Sequence, residues 1–137
     1  MSLASDAVAV RRGPLVVAGG VLAVIVVAAA ADTVIAQLAL AAGAPDDFQP
    51  LKAPSYIFLT TVGIVAGALG WAILRKISKD LQALVRWLVP TLVVVSFVPD
   101  FLLYGDGGAT GVGALLLMHV AVAAAAVVTY RKVMPLA

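Results

Sequence analysis

Three ionisable side chains stand inside long apolar runs: Asp32, Asp100 and His119. A carboxylate beside an imidazole can orient the ring, relay a proton, or complete a metal site. Within hydrocarbon such groups are costly, at about 2.5–3.5 kcal/mol for Asp at a helix centre on insertion scales, so they generally face protein. Thr60, Ser96 and Tyr104 supply hydroxyls that could join them, making a candidate ligand or proton site of six residues. One His and two Asp without metal-ligand spacing are a poor metal signal, so no metal and no cofactor is expected. The competing reading is structural. In it each aspartate bonds a neighbouring Thr, Ser, Tyr or His and locks the helices together.

The elements that must position these groups follow from composition. The chain has 137 residues, of which 64% are hydrophobic and 12% charged, and its mean hydropathy is +1.13. A water-soluble domain this short could not hide so much apolar surface. Lipid removes that problem. Four apolar segments, about 14–42, 55–74, 84–104 and 110–130, each have roughly the 20 residues a helix needs to cross about 30 Å of hydrocarbon. Strands are excluded because alternation is absent and open sheet edges are not tolerated in lipid. The expected fold is all-α, a single four-helix transmembrane bundle.

Punctuation separates the spans. Gly43, Pro45, Asp46, Asp47, Pro50 and Pro54 mark the first loop, and residues 104–108 a tight one between spans three and four. Ile77, Leu81, Leu84 and Leu88 keep helical spacing, which predicts a short interfacial connector between spans two and three. Pro90 and Pro99 fall inside span three, where each removes a backbone donor and favours a kink.

Charge sets the orientation. Arg11, Arg12, Arg75, Lys76, Lys79, Arg86, Arg131 and Lys132 flank one side of the spans, whereas Lys52 shares the other with Asp46, Asp47 and Asp106. Basic loops stay cytoplasmic, so both termini are expected inside, in the cell (plasma) membrane. The net charge of +2 belongs to this pattern and does not indicate nucleic-acid binding. Trp71 and Trp87 fit the inner interface, Tyr56 and Tyr104 the outer one. Residues 28–31 before Asp32 resemble a signal-peptide cleavage site, but the apolar pattern resumes at Val34 and continues through Ala42, which favours a span.

At 1.5 Å per residue, Asp32 lies about 15 Å, His119 about 12–15 Å, Thr60 about 8 Å and Asp100 about 6 Å below the outer span ends. All four helices therefore carry a polar group in the outer half. Ser96, Asp100 and Tyr104 share one face by four-residue spacing, and Asp32 shares its face with Ala28, Ala29, Ala36 and Ala39. Tyr56, Thr60, Gly63, Gly67 and Gly70 form a polar-and-small stripe on span two. Gly63 and Gly67 could pack helices within one chain or form the seam of a homodimer.

The run Ser96-Phe97-Val98-Pro99-Asp100, followed by Leu117-Met118-His119 and an alanine-rich tail ending in Arg131, resembles an uncharacterised family of small four-span membrane proteins found mainly in high-GC Gram-positive bacteria. The resemblance covers the whole chain in layout, with its motifs in spans three and four. It implies a compact four-helix bundle, with Pro99, Asp100 and His119 as the positions of interest, and carries no activity.

Three functional readings remain. The favoured one is a non-enzymatic membrane protein that binds a small polar or amphipathic ligand, or a partner, through an outer-half polar pocket. The second is a proton-coupled small-molecule transporter acting as a dimer, for which Asp32 or Asp100 should face a water-accessible path; full burial against Ser or Thr partners would count as evidence against. The third is an intramembrane enzyme using Asp100 and His119 as acid and base, which needs the two within hydrogen-bond or one-water reach. The absence of native cysteine gives a clean test of orientation. In intact cells, Asp46→Cys should react with a membrane-impermeant maleimide and Lys79→Cys should not; the reverse labelling pattern would invert the topology.

Overall fold

The computed structural model describes residues 12–136; Arg11, counted above among the orienting charges, lies outside them. Four long helices carry the chain: α1 (Pro14–Ala41), α2 (Ala53–Ile77), α3 (Leu81–Leu102) and α4 (Tyr104–Val133). All four are long and apolar enough to cross a membrane, and no strand occurs among the described residues. Arg12 Nε donates to the Lys132 carbonyl at 3.0 Å, so the start of α1 and the end of α4 meet at one end of the bundle. That end also carries Arg75, Lys76 and Lys79, and is called the basic end. The loop holding Asp46 and Asp47 and the first turn of α4, with Asp106, form the acidic end.

Local chemistry explains the boundaries. Pro14 opens α1 after Gly13, where a missing N–H costs nothing. At the other end Gly43 takes φ 104°, with Ala44 N–H bonded to Ala39 O and Gly43 N–H to Leu40 O. This paired arrangement satisfies terminal carbonyls and requires a residue tolerant of positive φ. Asp80 caps α3 by accepting from Ala83 N–H at 3.1 Å.

The connector expected between spans two and three is not a helix of its own. Ile77 completes α2, Leu81 begins α3, and only residues 78–80 intervene, because Asp80 starts the next helix at once. The apolar spacing that suggested a connector belongs to the ends of two spans. α3 continues through both Pro90 and Pro99. The reversal between α3 and α4 is tighter than the expected loop: Tyr104 already begins the helical turn that leads into α4, and Gly108 breaks it at φ 63°.

α4 is the spine. It packs along α1, along α3 and, to a smaller extent, against α2, while α1 also packs along α2; α2 and α3 do not pack along one another. The order around the bundle is therefore α2, α1, α4, α3, with one side left open. On α1 the buried residues are Val24, Ala28, Asp32, Ala36 and Ala39, a stripe of mostly small side chains that lets neighbouring backbones approach closely. Leu22, Val26, Phe58, Leu69, Val94 and Leu117 point outward, as lipid-facing side chains do.

Two apolar clusters lie at different heights. Toward the basic end, Val24, Ala28, Ile64, Trp71, Val85, Ala126, Tyr130 and Met134 pack together. Trp71 is thus turned inward, contrary to the expectation of a headgroup-facing ring. Its Nε1–H donates to Met134 O at 3.0 Å, while Tyr130 donates its hydroxyl to Ile64 O across α2 and α4. Trp87 alone keeps the exposed position expected of both.

Toward the acidic end, Ala36, Ala39, Ala44, Phe48, Leu51, Tyr56, Ala114, Leu115 and Met118 form the second cluster. Phe48, from the loop, is its plug. A Cβ on Gly107 would stand 2.5 Å from the Phe48 ring and one on Gly111 3.1 Å from it, so these glycines make the socket. The ring is rigid and enclosed, so Gly107→Ala should destabilise the bundle by about 1–3 kcal/mol, the usual range for overpacking. In a Phe48→Ala background the same glycine change should cost less than in the wild type, read by detergent thermal denaturation; an equal cost in both backgrounds would refute the plug.

Candidate functional site

α1 presents Asp32 about 14 Å from its Ala41 end, between the two apolar clusters. Its exposure is 0%. Thr60 on α2 donates its hydroxyl to Asp32 Oδ2 at 2.5 Å. On α2 one turn nearer the acidic end, the Tyr56 hydroxyl lies 3.0 Å from that of Thr33, the residue after Asp32. Thr33 spends its hydrogen on Ala29 O at 2.8 Å, so Tyr56 is the donor to Thr33. α1 and α2 are thereby joined by two side-chain hydrogen bonds on successive turns. Tyr56 is buried and does not sit at an interface as its type suggested.

The second acid is held between α3 and α4. Asp100 is 6% exposed, and its Oδ2 stands 2.8 Å from His119 Nδ1. The same ring nitrogen is 2.8 Å from Leu115 O. A single nitrogen carries at most one proton, so it cannot bond both oxygens at once. The alignment favours the Leu115 carbonyl, which leaves Asp100 Oδ2 at ion-pair distance without a hydrogen bond. Phe97 packs edge-on to the imidazole, with ring centroids 6.1 Å apart. Asp32 Oδ1 is likewise buried and without a partner. His119 lies within electrostatic reach of both carboxyl groups.

These groups line one cleft of about 770 Å³ between α2 and α3, floored by α4. Asp32, Thr60, Ser96, Asp100 and His119 stand at its acidic-end portion; beyond them the walls are largely aliphatic and glycine, down to Leu74, Val85 and Tyr130. Tyr56 and Leu74 both line it, a rise of about 27 Å along α2, so the cleft runs most of the way through the bilayer thickness. Leu59 and Leu92, which line it from opposite sides, are 62% and 57% exposed. The cleft therefore opens sideways, toward lipid. It is longer than the outer-half polar pocket expected from sequence, and most of its wall is apolar.

Five of the six candidate residues are thus brought to a common wall. Tyr104 is not. It is exposed and does not line the cleft, because α3 ends at Leu102 and the four-residue spacing from Asp100 is broken by the reversal at Leu103. Ser96 donates to Val93 O at 2.6 Å, leaving its oxygen lone pairs free to accept. Gly67 lies beneath Tyr130, whose hydroxyl would be 2.9 Å from a Cβ there. Gly63 and Gly70 border open space within the cleft. Sequence reading missed the Tyr130–Ile64 and Tyr56–Thr33 bonds; a tyrosine four residues from a threonine on a glycine-bearing face was the available signal for the second.

The four apolar helices and their inward-turned acids define a multi-pass integral membrane protein. The chain belongs to a family of unknown function (DUF6069), whose pattern matches residues 5–135. No curated protein and no solved structure matches it.

The Asp32–Thr60 bond generates a stability prediction. Thr60→Val keeps the shape but leaves both Asp32 oxygens unpaired, and should cost about 1–3 kcal/mol, the penalty for an unsatisfied buried polar group. Thr60→Ser should retain most of the wild-type melting temperature. Equal melting temperatures for the valine variant and the wild type would show the bond to be dispensable.

Proposed function

We propose that this chain is a non-enzymatic membrane protein that binds an amphipathic molecule in the lateral cleft between α2 and α3. The observation that carries the reading is the coincidence of a long apolar cleft, open toward lipid, with two buried carboxylate oxygens that accept no hydrogen bond, Asp32 Oδ1 standing alone and Asp100 Oδ2 beside His119. Ligand sites are concave and largely apolar, with a few placed polar groups that fix orientation. Here the apolar walls receive a chain, and Asp32, Thr60, Ser96, Asp100 and His119 receive its head. Both termini lie on the cytoplasmic side of the plasma membrane in this proposal, as the basic flanks favour.

The glycine stripe serves the chain itself under this reading. Gly67 admits Tyr130, and Gly63 and Gly70 keep the cleft wide, which leaves no need for a homodimer seam. A proton-coupled dimeric transporter finds less support, since Asp32 is held by a hydrogen bond from Thr60. One observation favours the enzymatic alternative: Asp100 and His119 stand within 2.8 Å, the reach an acid–base pair requires.

A Cβ added at Gly63 or Gly70 meets nothing within 4 Å, and both glycines line the cleft, so a leucine there starts into open space. Gly63→Leu with Gly70→Leu should fold normally and lose the lipid or amphiphile that the wild-type chain retains through mild detergent extraction. Native mass spectrometry of the two proteins reads this directly. Identical bound species on both would overturn the cleft as a binding site.

A further inference from the structure

We infer that the molecule taken by this cleft is a single-chain amphiphile with a protonated amine as its head, entering sideways from the bilayer; the inference rests on the cleft being a binding site at all. The lining contains two carboxylates and no Lys or Arg. Lys52, the basic residue nearest along α2, is about 12 Å of helix beyond Thr60 and does not line the cleft. His119 is the one lining group able to become cationic, and it stands against Asp100. A phosphate or carboxylate head would therefore meet like charge with no compensating donor. An ammonium meets its complement.

The acceptors also match in number. An ammonium carries three N–H donors and no acceptor. The cleft offers Asp32 Oδ1, enclosed and unpaired, Asp100 Oδ2, enclosed beside His119 but without a hydrogen bond, and the Ser96 hydroxyl oxygen, whose own hydrogen is spent on Val93 O. Leaving one carboxylate oxygen unsatisfied and a second without a hydrogen bond in a water-poor site is costly, and charge-assisted hydrogen bonds from a bound amine would relieve it. Asp32 is already held from one side by Thr60 Oγ1, so its free oxygen is fixed in direction before a ligand arrives. Below the head, Gly63, Gly67 and Gly70 on α2 and Val89 and Leu92 on α3 leave an apolar slot. From Thr60 to Leu74 that slot is about 21 Å long, suited to one extended alkyl chain. The lateral opening past Leu59 and Leu92 lets such a chain enter without leaving the membrane.

The experiment compares octadecylamine, octadecanol and octadecanoic acid on the full chain in detergent, with bound fractions read by native mass spectrometry. The amine should bind about tenfold or more tightly than the alcohol, the usual weight of making a hydrogen bond to a charged group, and the acid should bind weakest. Asp100→Asn should reduce amine affinity about tenfold while leaving the alcohol unchanged. Asp100 accepts no side-chain hydrogen bond from a neighbouring helix, so this variant carries the test even where Asp32→Asn lowers expression. Equal binding of amine and alcohol, or preference for the acid, would overturn the amine head and leave the cleft standing. Binding of all three that persists unchanged in the Gly63→Leu, Gly70→Leu protein, or no binding of any to the wild type, would remove the cleft reading itself.

Discussion

A carboxyl group enclosed among membrane helices has to be answered by a neighbour, and the rest of this bundle is arranged around that requirement at Asp32. Water cannot supply the missing bonds, and lipid has none to give. Thr60 answers one oxygen, which fixes the height and rotation of α2 against α1. Tyr56 and Thr33 repeat the link one turn away. Small residues on the same α1 stripe then let α4 close on the other side. The second acid is treated differently. Asp100 is buried but left at ion-pair distance from an imidazole whose nitrogen is already aimed at a carbonyl. One carboxylate thus holds two helices together, while the other is only partly satisfied.

The open side follows from how α3 is held. It packs on α4 and on no other helix along its length, whereas α2 is tied to α1 by hydrogen bonds and to α4 through Tyr130 and Trp71. In lipid there is no hydrophobic penalty for leaving apolar faces apart, because acyl chains cover them as well as leucine does. A gap between α2 and α3 is therefore affordable in a membrane and would collapse or flood in water. The glycines on α2 widen it, and Tyr130 beneath Gly67 closes the α2–α4 contact behind it.

Much of this was legible in the residues. Asp32, with alanines at four-residue spacing on both sides, marked an inward face, and burial of Asp32, Thr60 and Asp100 accords with the cost of exposing them to lipid. The partners were less legible. Tyr104 was placed with Asp100 by spacing alone, and a reversal at Leu103 separated them. Trp71 and Tyr56 were assigned to interfaces by residue type, yet both bond inward, since a buried indole or phenol needs a partner and each found one. Phe48 gave no periodic signal, because a loop residue that plugs a glycine socket is specified by the helix it meets.

The amino-acid order alone determined that four helices cross the membrane and which polar groups must turn inward. The reason is that hydrocarbon thickness sets span length, and only helices satisfy their own backbone there. Tertiary structure decided which helices touch, that α2 and α3 stand apart, and that the resulting cleft faces sideways. Hydrophobicity could not convey this. An apolar side chain gains as much from lipid as from a neighbouring helix, so pairing was left to close backbone contacts and a few hydrogen bonds, which exist only once the chain is folded.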